Sequence, residues 1–548
     1  MQKLPLDLYP REMKRITSEE VKASNFSVGK EFADYISSTL GPQSAQKAIV
    51  SSDSNYYTIS SDGKTILQRF DLVEFKAKHP VAQLMVELAK STDDEVGDGT
   101  TSSVILAGEL LRHAEKLIDL GLHPTIVANG FRNATDKAIE LMEKLAKPVD
   151  TDEMLLKVAR TSLDTKYISP LPEHKEGSGS LASTVVSAIH IVADEAGRAN
   201  PDDVHIVKKS GGNIFDTTVF SGYIIEKEML HPSMPKSQKK ARIAVIDTPL
   251  MVKRYDGLFT ENSQVSVKAS GFSQYRSQKS SENDMLMKMT QKIIDVGANV
   301  IISRKLIDER LGKQLADKGV IAIQAIPTRE DLSMLAGACG AKIVSDLGMI
   351  SSEHLGYADN VWEERYPDHS VFTHILVTNE KNATILLRGG IAHAISDVNR
   401  AVHDALHTTA NAFNGKVLLG GGATEMYIAE ELRRYALSIK SKKQLAINAF
   451  ADALEIIPKT LAKNSGQDVI SVITDLRMEH SKGKVSFGYD AIGKVITDTS
   501  KGGIIESLVT KRQIYKGASE TSRLIILSDD IIYGDVMEQR IEDKVDGK

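Results

Sequence analysis

The pattern of secondary structure along the chain is nearly symmetric from end to end. Up to about Leu145 the sequence shows long amphipathic helical patterns, and apolar residues between Ser103 and Ile118 keep the i, i+3, i+4, i+7 spacing of one buried helix face. Short β-like runs begin at Ile206, strands and helices alternate between Asp295 and Asp346, and helical patterns return after Gly390. This order predicts one domain inserted within another, with a helical base built from both chain ends.

Length and composition narrow the class of protein. A chain of 548 residues exceeds what one hydrophobic core usually supports, so we expect several domains. The net charge of −5 argues against nucleic acid as the main partner, and the absence of a long apolar run predicts no membrane span. Cys339 is the only cysteine, which excludes disulfides within the chain and thiolate zinc sites. A reducing cytoplasm fits this composition.

Several shorter segments carry individual predictions. The alternating region predicts strands at 298–305, 320–326 and 341–346, separated by helices at 307–319 and 329–340. Near the end of the chain we expect a hairpin at 484–498 and a terminal strand at 522–530.

Three glycine-containing turns are candidate phosphate sites. Gly41 and Pro42 follow a helical stretch, Gly97 and Gly99 flank Asp98, and three glycines at 420–422 precede a helix. Backbone N–H groups at a helix N-terminus can hold phosphate, and Asp98 suits a hard cation such as Mg²⁺. The sequence has no Walker A motif and no strand-linked GxGxxG motif. Taken singly, each turn is more often a plain helix connection.

Two carboxylates are candidates for positioning a water molecule. Asp62 lies in a predicted turn beside a strand, and Asp404 lies within a helical pattern. From pattern alone, ordinary turn chemistry and a solvated helix position account for them. Phosphoryl transfer needs mainly positioning and charge compensation, so an aspartate with an ordinary pKa near ~4 would orient water rather than act as a strong base.

Other chemistries are poorly supported. His403 and His407 are spaced one helical turn apart as in some zinc sites, but no third ligand and no HExxH motif accompany them. Two surface or cleft histidines are the simpler interpretation. No GxSxG motif occurs, and Cys339 is better explained as a small buried residue than as a nucleophile.

Taken together, the motifs resemble one family in their order and spacing. The chain is similar to group II chaperonins, the archaeal thermosome and TCP-1 family of ring-forming chaperones. The segments that carry the resemblance are STLGPQ (38–43), SDGKTIL (61–67), HPVAQLM (79–85), EVGDGTTSSVILAGELL (95–111), RTSLDTK (160–166), TILLRGG (384–390), HDAL (403–406), LLGGGATE (418–425), NSGQD (464–468), FGYD (487–490) and GIIES (503–507). The absence of long insertions and the scarcity of cysteine favour an archaeal source.

The resemblance implies a multidomain α and α/β architecture, the chaperonin fold. A helical equatorial domain would comprise residues 1–147 and 418–548, and a hinge-like intermediate domain would comprise 148–215 and 379–417. An α/β apical domain with a helical protrusion would span 216–378. The protrusion aligns with Tyr255 to Asp284 and would act as a built-in lid, while the helix from about Ile307 to Asp317, with Leu311 and Leu315, is a candidate cavity-facing element.

The resemblance also implies a site for ATP or ADP with Mg²⁺. Asp98 would be the Mg²⁺ ligand, Asp62 and Asp404 would place the attacking water, and Lys166 would lie near the γ-phosphate. The remaining nucleotide contacts are implied at Leu40, Gly41, Pro42, Gly99, Thr100, Thr101, Ser102, Gly421, Gly422, Gly488 and Glu506.

The implied function is that of an ATP-hydrolysing chaperone subunit. It would join the same or paralogous subunits in a stacked double ring, bind non-native protein and close its lid as ATP is hydrolysed. The chain departs from the family pattern at 43–48 and at Lys64, which we expect to put a cation beside Asp62. These departures suggest slower hydrolysis and a divergent subunit of a mixed ring. An alternative is a ring component that binds nucleotide weakly; a metabolic kinase is disfavoured because no small-substrate motif accompanies the turns.

Overall fold

A computed structural model describes residues 14–16, 18–50, 57–70, 79–166, 180–251, 272–378, 381–390 and 392–533. The chain forms two compact units. The first combines both ends of the chain, Met1–Glu176 and Arg400–Lys548, and the second is the continuous segment Gly177–Asn399. A unit inserted within another is what the symmetric sequence pattern predicts.

The N-terminal part of the first unit is mostly helical. Its elements are β1 (Lys14–Ile16), α1 (Ser18–Ser37), β2 (Lys47–Val50), β3 (Tyr57–Ser60), α2 (Gly63–Phe70), α3 (Pro80–Val96), α4 (Thr100–Asp119), α5 (Pro124–Leu145), β4 (Lys147–Pro148) and α6 (Asp152–Asp164).

The second unit is mixed, and a long helix carries the chain back into the first. The elements are α7 (Leu181–Val192), β5 (Val204–Ser210), β6 (Thr218–Ile225), β7 (Ser237–Ile246), α8 (Phe272–Val296), β8 (Val300–Ser303), α9 (Glu309–Asp317), β9 (Ile321–Ile323), α10 (Arg329–Ala338), β10 (Gly356–Arg365), β11 (Val371–Leu376), β12 (Ala383–Gly389) and α11 (Ala392–Phe413).

The C-terminal part of the first unit is again mainly helical. It contains β13 (Lys416–Leu419), α12 (Ala423–Ser438), α13 (Lys443–Leu454), α14 (Ile456–Asn464), α15 (Val469–Ser481), β14 (Phe487–Asp490), β15 (Val495–Asp498), α16 (Thr499–Gly502), β16 (Ile505–Ser507), α17 (Leu508–Leu527) and β17 (Ile531–Tyr533).

Helix α4 lies at the centre of the first unit. Its residues from Val104 to Ala107 are all buried, and its main packing partners are α1, α3, α13 and α17. Close approach depends on small residues, because a Cβ at Gly108 would collide with Ala33 of α1. This packing holds the N-terminal end of α4 in a fixed place, beside α17 from the other end of the chain.

The second unit is built on an eight-stranded sheet in the order β5-β12-β6-β11-β10-β7-β8-β9. Strands β7, β8 and β9 pair in parallel, with Ile243 opposite Val300 and Val300 opposite Ile321. The residues through which they pair are buried, because α8, α9 and α10 supply apolar side chains to the same core. The mixed sheet and the helical first unit confirm the predicted multidomain α and α/β architecture.

Most of the shorter segments follow the sequence predictions. The alternating region forms β8, α9, β9 and α10, and the predicted hairpin is the pair β14–β15. Two predictions are wrong. Residues 341–346 make only a single parallel bridge, from Val344 to Ile246, just beyond the point where the pairing of β10 with β7 ends at Ile243. Most of 522–530 belongs to α17, where Ile525 and Ile526 are buried among helices and Leu524 and Leu527 face solvent.

The apical predictions have mixed outcomes. Leu311 and Leu315 of α9 are fully buried, so they pack into the core of the second unit and do not face a cavity. The first part of the predicted protrusion lies outside the described residues, and its remainder begins α8. The five-segment domain division implied by the family resemblance stays a prediction. Within the described residues, no helix is both long and apolar enough to cross a membrane.

Candidate phosphate and metal site

The turn between α3 and α4 is shaped by two glycines in the left-handed region. Gly97 ends α3 with φ 70° and Gly99 precedes α4 with φ 83°, a conformation that costs other residues strain. No side chain caps α4 at Gly99, so the first N–H groups of the helix are available to an anion. Thr100 and Thr101 are the first two residues of α4, and both are buried.

A second turn of the same kind precedes α12. Gly421 and Gly422 have φ 62° and 78°, and no side chain caps α12 at Gly422. Gly488 of β14 lies against this turn, because a Cβ there would be 2.9 Å from the Gly421 carbonyl oxygen. Glu506 lies on its other side, with Oε1 2.6 Å from the position of a Cβ at Gly420.

The third turn, at Leu40, Gly41 and Pro42, is fastened from the other end of the chain. Asn464 Nδ2 donates hydrogen bonds to the carbonyl oxygens of Ser37, at 2.9 Å, and Leu40, at 2.8 Å. Gly41 has φ 86°, and a Cβ there would collide with Leu461.

Helices α14 and α17 bring the three turns together. Gly41 and Gly422 both pack against α14, since a Cβ at Gly422 would lie 2.7 Å from Pro458. Gly99 packs against α17, where a Cβ would lie 2.7 Å from Ile514. Because α14 also contacts α4, the three glycine turns belong to one region of the first unit, although the turn at 420–422 lies far along the sequence from the turns at 40–42 and 97–99.

The segment that carries Asp62 also meets the start of α4. A Cβ at Gly63 would lie 2.8 Å from Thr101 Oγ1 and 3.1 Å from Thr100 Oγ1. Asp62 Oδ2 accepts hydrogen bonds from the backbone N of Thr65 at 2.9 Å and from its hydroxyl at 2.7 Å. Asp62 thus caps α2 and is held rigidly beside the uncapped end of α4.

One lysine joins two of the predicted carboxylates. Lys166 Nζ lies 2.9 Å from Asp404 Oδ2 and 3.3 Å from Asp62 Oδ1. Asp62 and Asp404 are only 8% and 6% exposed, so the contacts are shielded from water. Three residues from separate parts of the sequence therefore converge as the family resemblance implies.

Asp98 takes its hydrogen bonds from an amide and two hydroxyls. Its Oδ1 accepts from the backbone N of Gly99 at 2.6 Å, and its Oδ2 accepts from Ser162 at 2.9 Å and Thr408 at 3.3 Å. Burial raises the pKa of Asp98, and the negative charge of Asp404 raises it further, against the opposing effect of Lys166. The positive charge near the Asp98 carboxylate is therefore too small to balance its burial and the nearby negative charge.

The pKa of Asp62 is shifted in the opposite direction. Burial disfavours its charge, but Lys166 and the hydrogen bonds from Thr65 outweigh burial and lower the pKa of Asp62 to about 2. Burial also opposes the charge of Lys166, yet Asp404, Asp62 and Asp98 raise the pKa of this lysine well above its ordinary value. Both groups are therefore ionised at neutral pH.

The charge balance and the donor types fit Mg²⁺. Three carboxylates surround a single lysine, which leaves an excess of negative charge and hard oxygen donors. Across the described residues, no group of three or more His, Cys, Asp and Glu side chains forms a complete metal cage. Mg²⁺ is usually held by one or two carboxylates together with phosphate oxygens, so Asp98 beside an anion-binding turn suits it.

Lys64 does not lie where the sequence led us to expect. Its ammonium group forms ion pairs with Asp93 and with Asp94, the latter at 3.1 Å, instead of approaching Asp62. The reason is that α2 begins at Gly63, which turns Lys64 towards the last turns of α3. This position gives no support to the expectation that Lys64 slows hydrolysis.

Sequence reasoning missed the residues that support the site. Ser162, Thr408 and Thr65 supply hydroxyls to the carboxylates, and Lys511 forms ion pairs with Glu425 and Glu506. One signal was available, because Thr408 follows Asp404 by four residues and shares its helix face. Nothing in the sequence pairs the other residues with their partners.

The remaining candidates have structural explanations. The His403 and His407 rings are 4.4 Å apart, and His407 packs where a Cβ at Gly97 would be, so the pair helps to seat α11 on the turn. Cys339 is buried, as predicted.

Comparison with known proteins identifies the family of the chain. The TCP-1/cpn60 chaperonin family matches residues 32–535. The thermosome subunit alpha of Archaeoglobus fulgidus is 35% identical over 545 residues, which cover 98% of this chain and 96% of that relative. The thermosome subunit beta of Methanothermobacter thermautotrophicus is 37% identical over 529 residues, covering 96% and 94%. The chain therefore belongs to the TCP-1/cpn60 chaperonin family, as a group II chaperonin subunit with a role in protein folding.

Proposed function

We propose that the chain is a Mg²⁺-dependent ATPase subunit of a stacked double-ring chaperonin that folds non-native protein. The observation that carries this proposal is the convergence of Asp62, Asp404 and Lys166 beside the uncapped start of α4. Family membership supports the chaperone role, since the relatives are named thermosome subunits. An archaeal cytoplasm is the setting that these relatives and the reducing composition favour.

In this proposal the glycine turns bind the nucleotide. The N–H groups of Gly99, Thr100, Thr101 and Ser102 would hold phosphate oxygens at the positive end of α4. The turns at 40–42 and 421–422, with Gly488 and Glu506, would hold the rest of ATP or ADP. Mg²⁺ bound at Asp98 would neutralise charge on the phosphate oxygens.

The carboxylates then have distinct roles in hydrolysis. Because the pKa of Asp62 is about 2, this carboxylate remains ionised and accepts a hydrogen bond from the attacking water, orienting it towards the phosphorus. Asp404 would accept the second hydrogen of the same water. Lys166, held protonated by its acidic neighbours, would compensate the charge that develops on the γ-phosphate oxygens.

Asp404 also suggests how hydrolysis is coupled to lid closure. It lies on α11, the helix in which the chain passes from the second unit back to the first. We propose that movement of α11 brings Asp404 to the nucleotide only as the ring closes over its client, so that the catalytic set is completed by closure.

The test is ATP hydrolysis by the purified chain, alone and together with paralogous subunits. We expect Mg²⁺-dependent phosphate release, and we expect Asp404→Asn to reduce the rate by about 10²-fold while nucleotide is still bound, because one positioning oxygen is lost. Asp119→Asn, an exposed change at the far end of α4, should leave the rate unchanged. Equal rates for wild type and Asp404→Asn would contradict the proposed catalytic role.

A further inference from the structure

A second buried ionic cluster lies beside the glycine turn at 420–422. Lys511 of α17 forms an ion pair with Glu425 of α12 and another with Glu506 Oε2 of β16, the latter at 2.9 Å. The side chains of Lys511 and Glu425 are 3% and 2% exposed, whereas that of Glu506 is 28% exposed. Glu506 is therefore the member of the cluster that reaches the surface of the site.

One lysine lies between the two carboxylates of this cluster. Glu425 Oε2 has no hydrogen-bond partner among the described residues, so the ion pair with Lys511 is what holds this buried carboxylate in place. Burial raises the pKa of Glu506, Lys511 opposes this, and the charges of Glu425 and Asp98 raise the pKa further. Removing Lys511 would leave the carboxylates of Glu425 and Glu506 without the cation that lies between them, so they would repel each other and Glu506 would lose its alignment.

The two oxygens of Glu506 have different neighbours. Oε2 faces the ammonium group of Lys511, while Oε1 lies at Gly420, at the edge of the turn. Backbone pairing of Glu506 with Leu418 fixes its Cα beside that turn. The lysine thus holds one oxygen of the Glu506 carboxylate and leaves the other directed to the place where the proposed nucleotide would bind.

We propose that Lys511 is a positioning residue which, anchored by Glu425, holds the Glu506 carboxylate aligned to accept hydrogen bonds from the ribose hydroxyls of the nucleotide. The cluster then makes the site selective for ribonucleotides over deoxyribonucleotides. This inference rests on the proposed nucleotide-binding function. A purely structural ion cluster would instead affect the affinity for both kinds of nucleotide equally.

The measurement is the ratio of dissociation constants for 2′-deoxy-ADP and ADP, and for 3′-deoxy-ADP and ADP, with Mg²⁺ and the full chain. Diphosphates avoid hydrolysis during the titration. A hydrogen bond to a charged group supports roughly tenfold discrimination, so we expect wild type to prefer ADP by about that factor over at least one deoxy analogue. We expect the ratio to fall towards one in Glu506→Gln and in Lys511→Met.

Lys511→Met leaves a buried pair of glutamates and could destabilise the fold, so a charge-matched variant is needed. Glu425→Gln combined with Lys511→Met keeps the formal charge of the cluster at −1 while removing the ion pair to Glu506. It should lose the preference for ADP as well. Lys516→Met, an exposed change on the same helix, should keep it.

The possible outcomes distinguish the positioning role of Lys511 from the nucleotide-binding function on which it rests. If wild type binds neither ADP nor ATP with Mg²⁺, the nucleotide-binding function fails. If wild type binds ADP without any preference, or if the charge-matched variant keeps the wild-type preference, then the positioning role of Lys511 is overturned.

Discussion

At the scale of single residues, hydroxyl groups decide how Asp98, the proposed metal ligand, is held. Asp98 is in a place that is short of positive charge, and Ser162 and Thr408 donate to the same oxygen, Oδ2. Such bonds fix the orientation of a carboxylate without neutralising it. Its remaining capacity to accept is therefore available to a cation.

Two neighbouring threonines of α11 allow a matched test of this role. Thr408 donates to Asp98, whereas the buried Thr409 hydroxyl has no hydrogen-bond partner among the described residues. We expect Thr408→Val to raise the Mg²⁺ concentration needed for half-maximal ATPase activity by roughly fivefold, since one bond to a charged group is lost. The isosteric Thr409→Val should leave it unchanged. Identical Mg²⁺ titrations for the two variants would exclude a specific role for Thr408.

Sequence reasoning reached the acidic residues of the site but not these partners. Asp62 and Asp98 lie within recognisable motifs, and the motif order identified the family. Ser162 and Thr408 contact Asp98 across 64 and 310 residues of sequence, and such contacts arise only when α6 and α11 are packed. A single sequence contains no local pattern that specifies them.

At the scale of elements, the site is built from helix starts that no side chain caps. Helices α4 and α12 each follow a glycine in the left-handed region, and no side chain caps the first N–H groups of either helix. The glycines also permit close packing, with α14 and α17 lying where side chains would otherwise be. Conformation and close approach together explain why glycine is required.

The requirement for a left-handed conformation and the requirement for close packing can be tested separately with two glycines, one before α4 and one after it. Gly97 and Gly121 have φ 70° and 86°, but a Cβ at Gly97 would collide with His407, whereas at Gly121 nothing lies within 4 Å. Both alanine variants should lose about 1 kcal/mol of unfolding free energy from backbone strain. Gly97→Ala should lose a further ~1–3 kcal/mol and most of the ATPase activity, because α11 must shift. Chemical denaturation and phosphate release measure both effects, and equal losses in the two variants would rule out the contact argument.

Helices and strands could be predicted where the hydrophobic periodicity was strong. The predictions failed where apolar runs were short. Helices α4 and α5 show a clear 3.6-residue pattern. The run 522–527 has consecutive apolar residues that suit either a strand or a helix, and packing of α17 against α3, α4 and α5 decides for the helix. Residues 341–346 have the composition of a strand, but they find only one bridging partner, at Ile246.

At the scale of the whole molecule, the candidate site belongs to the unit that contains both chain ends. Asp62 and Asp98 come from the N-terminal part of this unit, and Asp404 and Glu506 come from its C-terminal part. Neither part of the chain alone could therefore form the site. The symmetric sequence pattern had predicted that both ends of the chain build this unit. The boundaries of the hinge-like segments remain a prediction, because the division into two units does not resolve them.

Ring assembly is the prediction that belongs to this scale. Strands β2 and β3 pair as a two-stranded sheet that no other strand among the described residues extends, and Val50 and Ile59 are 69% and 42% exposed on it. Exposed strand edges with apolar side chains are suited to pairing with a neighbouring subunit. We expect electron microscopy of the chain with ATP and Mg²⁺ to show stacked double rings, either alone or after addition of a paralogous subunit.

Whether rings form only in the presence of a paralogous subunit tests whether this chain is a divergent subunit of a mixed ring. Rings that form only with the paralogue would support a divergent subunit of a mixed ring, and abundant rings of the single chain with full folding activity would contradict it. Val50→Asp should reduce ring formation, because a charge at the strand edge disfavours pairing, whereas Leu120→Asp, at an exposed position after α4, should not. Single particles under every condition, with and without partner subunits, would contradict the double-ring proposal, while the ATP site within one subunit would remain testable by ADP binding.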